Sequence, residues 1–478
     1  MLLGGLDIGT TGCKISVYND EGEFVFCAYR EYKSERNESV HELNPSFVWE
    51  AVKEVMNEAL SKAKLDAIGV TSFGESFVLL DKDDNILMPS MLYTDKRGNE
   101  ECSAFDAEMI EKITGITPHG MYSIPKLMWI KSNRPDIYDK ADKILLFQDF
   151  IVYMLSGKRQ IDYSLACRTM GFDIREKCWS KEIFDISGVD SGKLSTPVPA
   201  GTVAGRIKNT EIKNGEDTMV VSACHDQLAA IIGSGVFDTS SAMDGTGTVE
   251  CIVPVFDEIP EGHDFYSKGY AIVPHIEKDK YICYVLSYTG GAAVKWFKDN
   301  FALEESYSEL DSHVKYEPSG ILVLPHFAGA ATPYMDENSK AAFVGITLGT
   351  TKYDFYQAIM EAVAYESLIS LDELEKKGIK INHLYATGGG AKSEKWLQIK
   401  ADILNIPITA IDAPEVGAMG TVIVAGLAVG IFESYREAGE KFLTLGKTFT
   451  PDCERNKAYS DLYQSYKKMY SSIRPVIK

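Results

Sequence analysis

Three short glycine-rich turns, at residues 9–12, 245–247 and 388–390, each follow an apolar run. Glycine admits positive φ and lets the backbone approach an anion closely, so consecutive N–H groups can point at one phosphate. Hydroxyls of Thr10, Thr11, Thr246 and Thr248 stand in these turns as neutral donors. One such turn is weak evidence, because glycine and aspartate also favour ordinary hairpins. Three together point to a nucleotide. None has the Gly-x-x-x-x-Gly-Lys-Ser/Thr or Gly-x-Gly-x-x-Gly pattern, which argues against two large nucleotide-binding classes.

A fourth segment, Cys224-His225-Asp226-Gln227, falls between an apolar strand pattern and a helical one, the usual place for reactive side chains in an α/β protein. A phosphoryl acceptor needs a carboxylate to take its hydroxyl proton, and a loose transition state makes modest demands on basicity. Asp226 suits that task, and equally suits a helix N-cap. His225 alone reads as a packed or hydrogen-bonded structural histidine. The formal net charge of −20 argues against nucleic acid and anionic lipid as partners. A nucleotide, itself an anion, then needs local donors: backbone N–H groups, lysines and a metal ion.

The elements that must position these residues follow from pattern and punctuation. With 478 residues, 45% of them hydrophobic and 25% charged, the chain suits two large lobes of a globular protein. Residues 2–8, 14–18 and 23–29 read as strands joined by turns, and 45–63 as a helix with Asn44 as cap and Pro45 at its first position. A strand is expected at 67–72. Later come a strand at 217–223, a helix at 227–232 broken by Gly233-Ser234-Gly235, and a strand–turn–strand at 241–255. The last repeats the opening theme: Asp7-Ile8-Gly9-Thr10-Thr11 and Asp244-Gly245-Thr246-Gly247-Thr248 lie half a chain apart. That points to a duplicated lobe with a boundary near 235–243. Beyond it, 353–374 and 393–404 read as helices and 381–386 as a strand. Nine scattered cysteines without metal-site spacing suit a reducing compartment. No leader is apparent, and the longest apolar run, 418–432, has 15 residues with three glycines, so it reads as a buried helix and the protein as cytoplasmic.

Taken together the motifs resemble a known family. Asp7-Ile8-Gly9-Thr10-Thr11 resembles the first phosphate motif of the superfamily that joins actin, the heat-shock chaperone ATPases and sugar kinases. His225-Asp226-Gln227 looks like the segment carrying the catalytic aspartate in FGGY carbohydrate kinases, and residues 244–248 are similar to their second phosphate turn. Ala386-Thr387-Gly388-Gly389-Gly390-Ala391-Lys392-Ser393 resembles their adenosine motif. Residues 324–345, with the helix through Glu361, resemble their C-terminal pattern. The order and spacing match from residue 5 to about 430.

The resemblance implies an α/β fold of two ribonuclease-H-like, actin-like ATPase lobes with a deep cleft between them. Residues 1–238 would hold the sugar, the first phosphate motif and the catalytic aspartate, and 239–478 the second phosphate motif and the adenosine. It implies ATP and Mg²⁺. Asp226 would be the general base, and Asp7 would hold the metal through water. Thr10, Thr11, Gly12, Gly245, Thr246, Gly247 and Thr248 would line the phosphates. Lys14 would meet the γ-phosphate or lie solvated on its strand. Gly389, Gly390 and Ser393 would border the adenosine, with Gly290 and Gly291 beside them or in a plain turn. Glu75 is the first candidate for sugar hydroxyls. Asp95 would order the cleft or touch sugar, and Gln227 and Gln148-Asp149 would contact sugar or cap helices. Gly233 and Gly235 would form part of a hinge.

Departures leave the sugar open. Phe73-Gly74-Glu75 stands where xylulose kinases carry Met-His-Gly and glycerol kinases Arg-Glu, and Tyr93 replaces the tryptophan of a Trp-x-Asp segment. The arginine usual before Glu361 is missing. A ketopentose such as xylulose or ribulose, taken at a primary hydroxyl, is the first expectation. A polyol or tetrulose comes next, then a hexulose or an aldonate. A non-catalytic ATP-binding regulator and a sugar-sensing protein are the alternatives from other classes, and a homodimer is what relatives suggest.

Overall fold

The opening meander forms because residues 2–31 alternate apolar runs with tight turns. β1 (Leu2–Ile8), β2 (Gly12–Asn19) and β3 (Phe24–Glu31) pair antiparallel in sequence. The structure is a computed structural model, and it describes residues 1–37, 40–413 and 415–477. Helix α1 (Pro45–Lys62) starts where Asn44 accepts the Ser46 N–H at 3.0 Å and buries Val48, Val52, Val55, Met56 and Ala59 along one stripe. β4 (Ala67–Ser72) is buried at every position and runs parallel to β1. Further along come α2 (Phe147–Ser156), β5 (Thr202–Arg206), β6 (Met219–His225) and α3 (Asp226–Gly233). The sheet order is β5-β6-β4-β1-β2-β3, with β6 parallel to β4 and β5 antiparallel to β6. β6 runs two residues beyond the expected 217–223. Residues 217–218 close a turn, with the Thr218 N–H on the Gly215 carbonyl, whereas His225 still pairs with Ser72.

The second half repeats this plan. β7 (Ser241–Thr246) and β8 (Glu250–Phe256) form an antiparallel hairpin, extended by β9 (Tyr281–Cys283) and β10 (Val285–Ser287) on β8. Helices α4 (Gly291–Phe301) and α5 (Lys352–Lys376) precede β11 (His383–Thr387), which lies parallel to β7. Then come α6 (Glu394–Leu404) and β12 (Ile408–Ile411), parallel to β11. The chain continues through α7 (Val416–Ala428) to β13 (Leu445–Phe449), antiparallel to β12. The order β13-β12-β11-β7-β8 therefore matches β5-β6-β4-β1-β2 in both sequence of pairing and strand direction.

The chain divides into two compact units. Unit 1 comprises Met1–Gly235, Ile272–Lys280 and Glu415–Leu443; unit 2 comprises Val236–Ala271, Tyr281–Pro414 and Thr444–Lys478. A single boundary after residue 238 does not describe the two later segments of unit 1. The larger of them carries α7, which lies against β1 and β4 and crosses α3. At the crossing a Cβ on Gly233 would stand 1.8 Å from the Val416 carbonyl oxygen, and one on Gly420 1.8 Å from that of Ala229. Close helix packing thus accounts for glycine at 233. The apolar run 418–432, expected to be a buried helix, is helical in α7 as far as Ala428 and leaves the helix over its last four residues, and among the described residues no helix is long and apolar enough to cross a membrane.

Candidate active site

Three parallel strands of unit 1 end side by side, and each delivers a carboxylate. Asp7 stands opposite Thr71 and Ile8 opposite Ser72, while Ser72 is also the partner of His225. Asp7 is thus at the end of β1, Glu75 three residues past β4, and Asp226 directly after β6. A register shift between Ser222 and His225 re-aims the end of β6. The Thr71 hydroxyl donates to the Cys224 carbonyl at 2.5 Å and the Ser164 hydroxyl accepts the His225 N–H at 2.8 Å, which pins the strand where the helix begins.

His225, rather than Asp226, occupies the N-cap position of α3. The Asp226 side chain keeps 36% of its exposure, accepts the Gln227 N–H at 2.6 Å and lies 3.2 Å from His225 Nε2. Burial of the carboxyl pushes it up to about 6, against the opposing pull of the Gln227 N–H and the Arg168 charge. Asp7 is also pushed up to about 6, by burial and then by the negative charge of Asp226. His225 is held down at about 3 by burial and by Arg168, so its imidazole is neutral.

Glu75 is buried and meets a partner that no motif announced. Arg168 Nε donates to Glu75 Oε1 at 2.5 Å, and a terminal guanidinium nitrogen pairs with the same oxygen. Arg168 reaches the turn because Gly74 leaves room: a Cβ there would stand 2.8 Å from Arg168 Cγ. Glu75 itself adopts φ 65°, a left-handed conformation costing a non-glycine residue about 1–3 kcal/mol. The Ser123 hydroxyl holds its carbonyl at 2.6 Å.

Asp95 takes the ordering role that the sequence left open beside sugar contact. Its Oδ1 accepts the Arg97 N–H and Nε, and its Oδ2 accepts the His41 N–H and an Arg97 terminal nitrogen. Burial pushes this carboxyl up, but Arg97 and the backbone donors outweigh it, so Asp95 is held below the usual carboxylate range. Gln148 and Asp149 neither cap nor reach solvent. They are buried in the first turn of α2, where Gln148 Nε2 donates to the Val70 carbonyl at 3.0 Å and Asp149 accepts the Ser195 hydroxyl at 2.6 Å. Gln227 is exposed at the second position of α3.

In the β1–β2 turn, Gly9 N–H donates to the Gly12 carbonyl at 2.9 Å and leaves Thr10 and Thr11 at the tip, Thr11 exposed. A Cβ on Gly12 would stand 2.3 Å from the hydroxyl oxygen of Tyr29, an exposed side chain with room to shift. Lys14, opposite Asp7 in the hairpin, forms an ion pair with Glu415.

Unit 2 gathers all its glycine-rich segments around the β7–β8 turn. Gly290 and Ala292 donate backbone N–H groups to the Thr248 carbonyl at 3.0 and 3.1 Å, and Gly291 to that of Gly247 at 2.8 Å. Gly290 and Gly291 are therefore a docking point for the turn. Gly388 and Gly390 approach it from the other side, where added Cβ atoms would stand 2.5 Å from the Thr246 carbonyl oxygen and 2.4 Å from Thr246 Cγ2. Gly247 and Thr248 are exposed and Gly245 is half-buried.

Beneath this turn lies a buried ion cluster that the sequence reading missed. Lys400 of α6 donates to Asp244 Oδ2 at 2.9 Å and Thr246 Oγ1 at 2.7 Å and pairs with Glu250. Burial opposes the lysine charge, but Asp244 and Glu250 more than offset it, so its ammonium is held above the usual lysine value. Burial and then Asp244 push Glu250 well above the usual carboxylate range. Thr246 is 1% exposed, which corrects the expectation that its hydroxyl faces a phosphate: it holds Lys400 instead. The Ser393 hydroxyl is likewise engaged, accepting the Trp396 N–H as cap of α6 and donating to Asp311 at 2.7 Å.

Comparison with known proteins reaches the whole length of the chain. Residues 2–233 match the FGGY family of carbohydrate kinases, N-terminal domain, and residues 260–429 match its C-terminal domain. A xylulose kinase of Staphylococcus epidermidis is 26% identical, over 98% of this chain and 96% of its own. A glycerol kinase of Thermococcus gammatolerans is 29% identical over 97% of each chain. Among solved structures, a gluconate kinase from Lactobacillus acidophilus superimposes with a TM-score of 0.91 at 25% identity, covering 99% of this chain and 98% of its own. Two α/β units of one strand order, carboxylates at the strand ends of the first and glycine turns in the second therefore belong to a member of the FGGY family of carbohydrate kinases, a phosphotransferase on the actin-like ATPase fold.

Proposed function

We propose that this kinase transfers the γ-phosphoryl group of ATP to a primary hydroxyl of a ketopentose such as xylulose or ribulose, with Asp226 as general base. The observation that carries the reading is the convergence of Asp7, Glu75 and Asp226 at the ends of three adjacent parallel strands. Asp226 is the partly exposed member, with one backbone donor on its carboxyl and a neutral histidine beside it. In that setting it takes the acceptor's proton as the hydroxyl oxygen attacks the γ-phosphorus and the bond to the departing ADP oxygen breaks.

Two glycines support a nucleotide in unit 2. A Cβ at Gly247 or Gly389 would meet nothing nearer than 4.0 Å, and Gly389 has right-handed helical dihedrals, φ −64° and ψ −37°. Neither packing nor backbone conformation requires glycine at 389, so close approach of a ligand is the remaining reason for it. Thr10 and Thr11 at the tip of the β1–β2 turn, and Thr248 and Gly247 in the β7–β8 turn, are the exposed or half-exposed donors for phosphate oxygens.

A divalent cation fits one carboxylate here. The charge on Asp7 is set by burial and by the charges of Asp226, Lys14 and Glu415, and no group of three or more His, Cys, Asp or Glu among the described residues is arranged to hold a metal unaided. Mg²⁺ brought in with the nucleotide, and held by Asp7 through water, would neutralise phosphate charge. The ketopentose is supported by the relatives named xylulose kinase, and glycerol and gluconate kinases among the similar proteins make a polyol and an aldonate the competing acceptors. The test is ADP release from Mg²⁺-ATP across ketopentoses, tetruloses, polyols, hexuloses and aldonates. Highest kcat/KM for a ketopentose is expected, and a different class at the top overturns that substrate.

A further inference from the structure

The glycine turn at 388–390 in unit 2 is held from two sides. On the first, Gly388 with φ 88° and Gly390 lie against Thr246 of the β7–β8 turn. On the second, the single helical turn Gly390–Lys392 ends at Ser393, whose hydroxyl accepts the Trp396 N–H at 3.1 Å and donates to Asp311 Oδ2 at 2.7 Å. Asp311 is fixed in turn by Tyr356 of α5, a buried side chain whose hydroxyl donates to Oδ1 at 2.9 Å. It stands on the short helix Tyr307–Ser312, which Ser306 and Glu309 close in a capping box and Leu310 anchors in the core. The chain beyond it is bound to the same two helices. Lys395 Nζ donates to the Val314 carbonyl at 3.1 Å, the Lys315 N–H to Gln357 Oε1 at 2.9 Å and the Ser319 N–H to Glu361 Oε1 at 2.8 Å. Residues 311–319 therefore brace the start of α6 against α5, and Asp311 is the joint that reaches Ser393.

We propose that Asp311 is a positioning residue of the nucleotide site in unit 2. Acting through Ser393, it fixes the backbone of residues 388–390 so that Gly389, which has open space around it, is presented to the adenosine side of the ligand. The one hydroxyl proton of Ser393 is given to Asp311, so Ser393 has no donor left for the nucleotide and its part is to hold the turn. α6 is then tied into the site twice, by Ser393 at its cap and, further along, by Lys400 on Thr246. The inference rests on the nucleotide reading of this turn given above and deepens it.

A double-mutant cycle tests it, read as calorimetric binding of Mg²⁺-ADP with no acceptor present. Asp311→Ala and Ser393→Ala should each weaken ADP about tenfold, the worth of one hydrogen bond to a charged group. The double variant should bind no worse than the weaker single one, because the two residues act as a unit. Ser393→Thr keeps the hydroxyl and the cap and should stay within about twofold of wild type. Asp311→Ala leaves the buried Tyr356 hydroxyl without its acceptor; where that prevents folding, Asp311→Ala with Tyr356→Phe takes its place. Amide hydrogen exchange at residues 388–393 should quicken in the Asp311 variant. ADP affinity unchanged in Asp311→Ala, or losses that multiply in the double variant, overturn the proposal. Wild-type protein that does not bind Mg²⁺-ADP defeats the nucleotide reading instead. Exchange at 388–393 then decides by itself whether Asp311 fixes the turn, and an unchanged rate overturns that too.

Discussion

Asp226 and Asp7 are both pushed up to about 6, chiefly by burial, which places an acid limb within reach of ordinary assays. A general base works only when ionised, so kcat/KM for the acceptor should fall as pH drops through about 6, where an unperturbed aspartate would hold its charge to near 4. The limb belongs to two interacting carboxylates and is read as an apparent value of the pair. A profile flat down to pH 4.5 would contradict Asp226 as the base. These two aspartates were legible because short local motifs carry them: strand, turn or strand, helix start. Arg168 was not, because it meets Glu75 across 93 positions of chain and has no pattern of its own. Asp95 was half legible. Its place near the site showed in the sequence, whereas its four donors come from Arg97 and from His41, 54 residues away.

At the scale of elements, the β7–β8 turn depends on α6. Removing the Lys400 ammonium leaves the buried carboxyls of Asp244 and Glu250 without their counter-charge, so Lys400→Met should cost about 3–5 kcal/mol by denaturant unfolding. Because the same side chain holds Thr246, KM for ATP should rise while KM for the acceptor stays put. Adding Glu250→Gln should restore part of the stability, since one buried acid is then gone. Equal changes in both KM values would leave Lys400 with a structural role only. The glycines around this turn were visible as a set, but their division of labour was not. Gly290, Gly291, Gly388 and Gly390 make room for the turn, whereas Gly247 and Gly389 have open space. That distinction needs the neighbours' positions, which sequence spacing does not carry.

For the molecule as a whole, two units with one strand order were legible from the repeated Asp/Gly/Thr turns. The return of residues 415–443 to unit 1 was not, because an apolar helical stretch says nothing about which sheet it will cover. Its glycines mark the choice. Gly420→Ala sets a Cβ against the Ala229 carbonyl oxygen, and overpacking of this kind should cost about 1–3 kcal/mol. Unfolding at the wild-type denaturant midpoint would show that α7 and α3 are not packed this tightly.

If phosphoryl transfer runs through Asp226, Asp226→Asn must abolish most of it. The measurement is kcat for the best acceptor alongside ATP binding by calorimetry. Asparagine keeps the shape and the Gln227 contact but cannot take the proton, so kcat should fall about 10²–10⁴-fold with ATP affinity unchanged. A kcat within a few fold of wild type would rule out Asp226 as the general base.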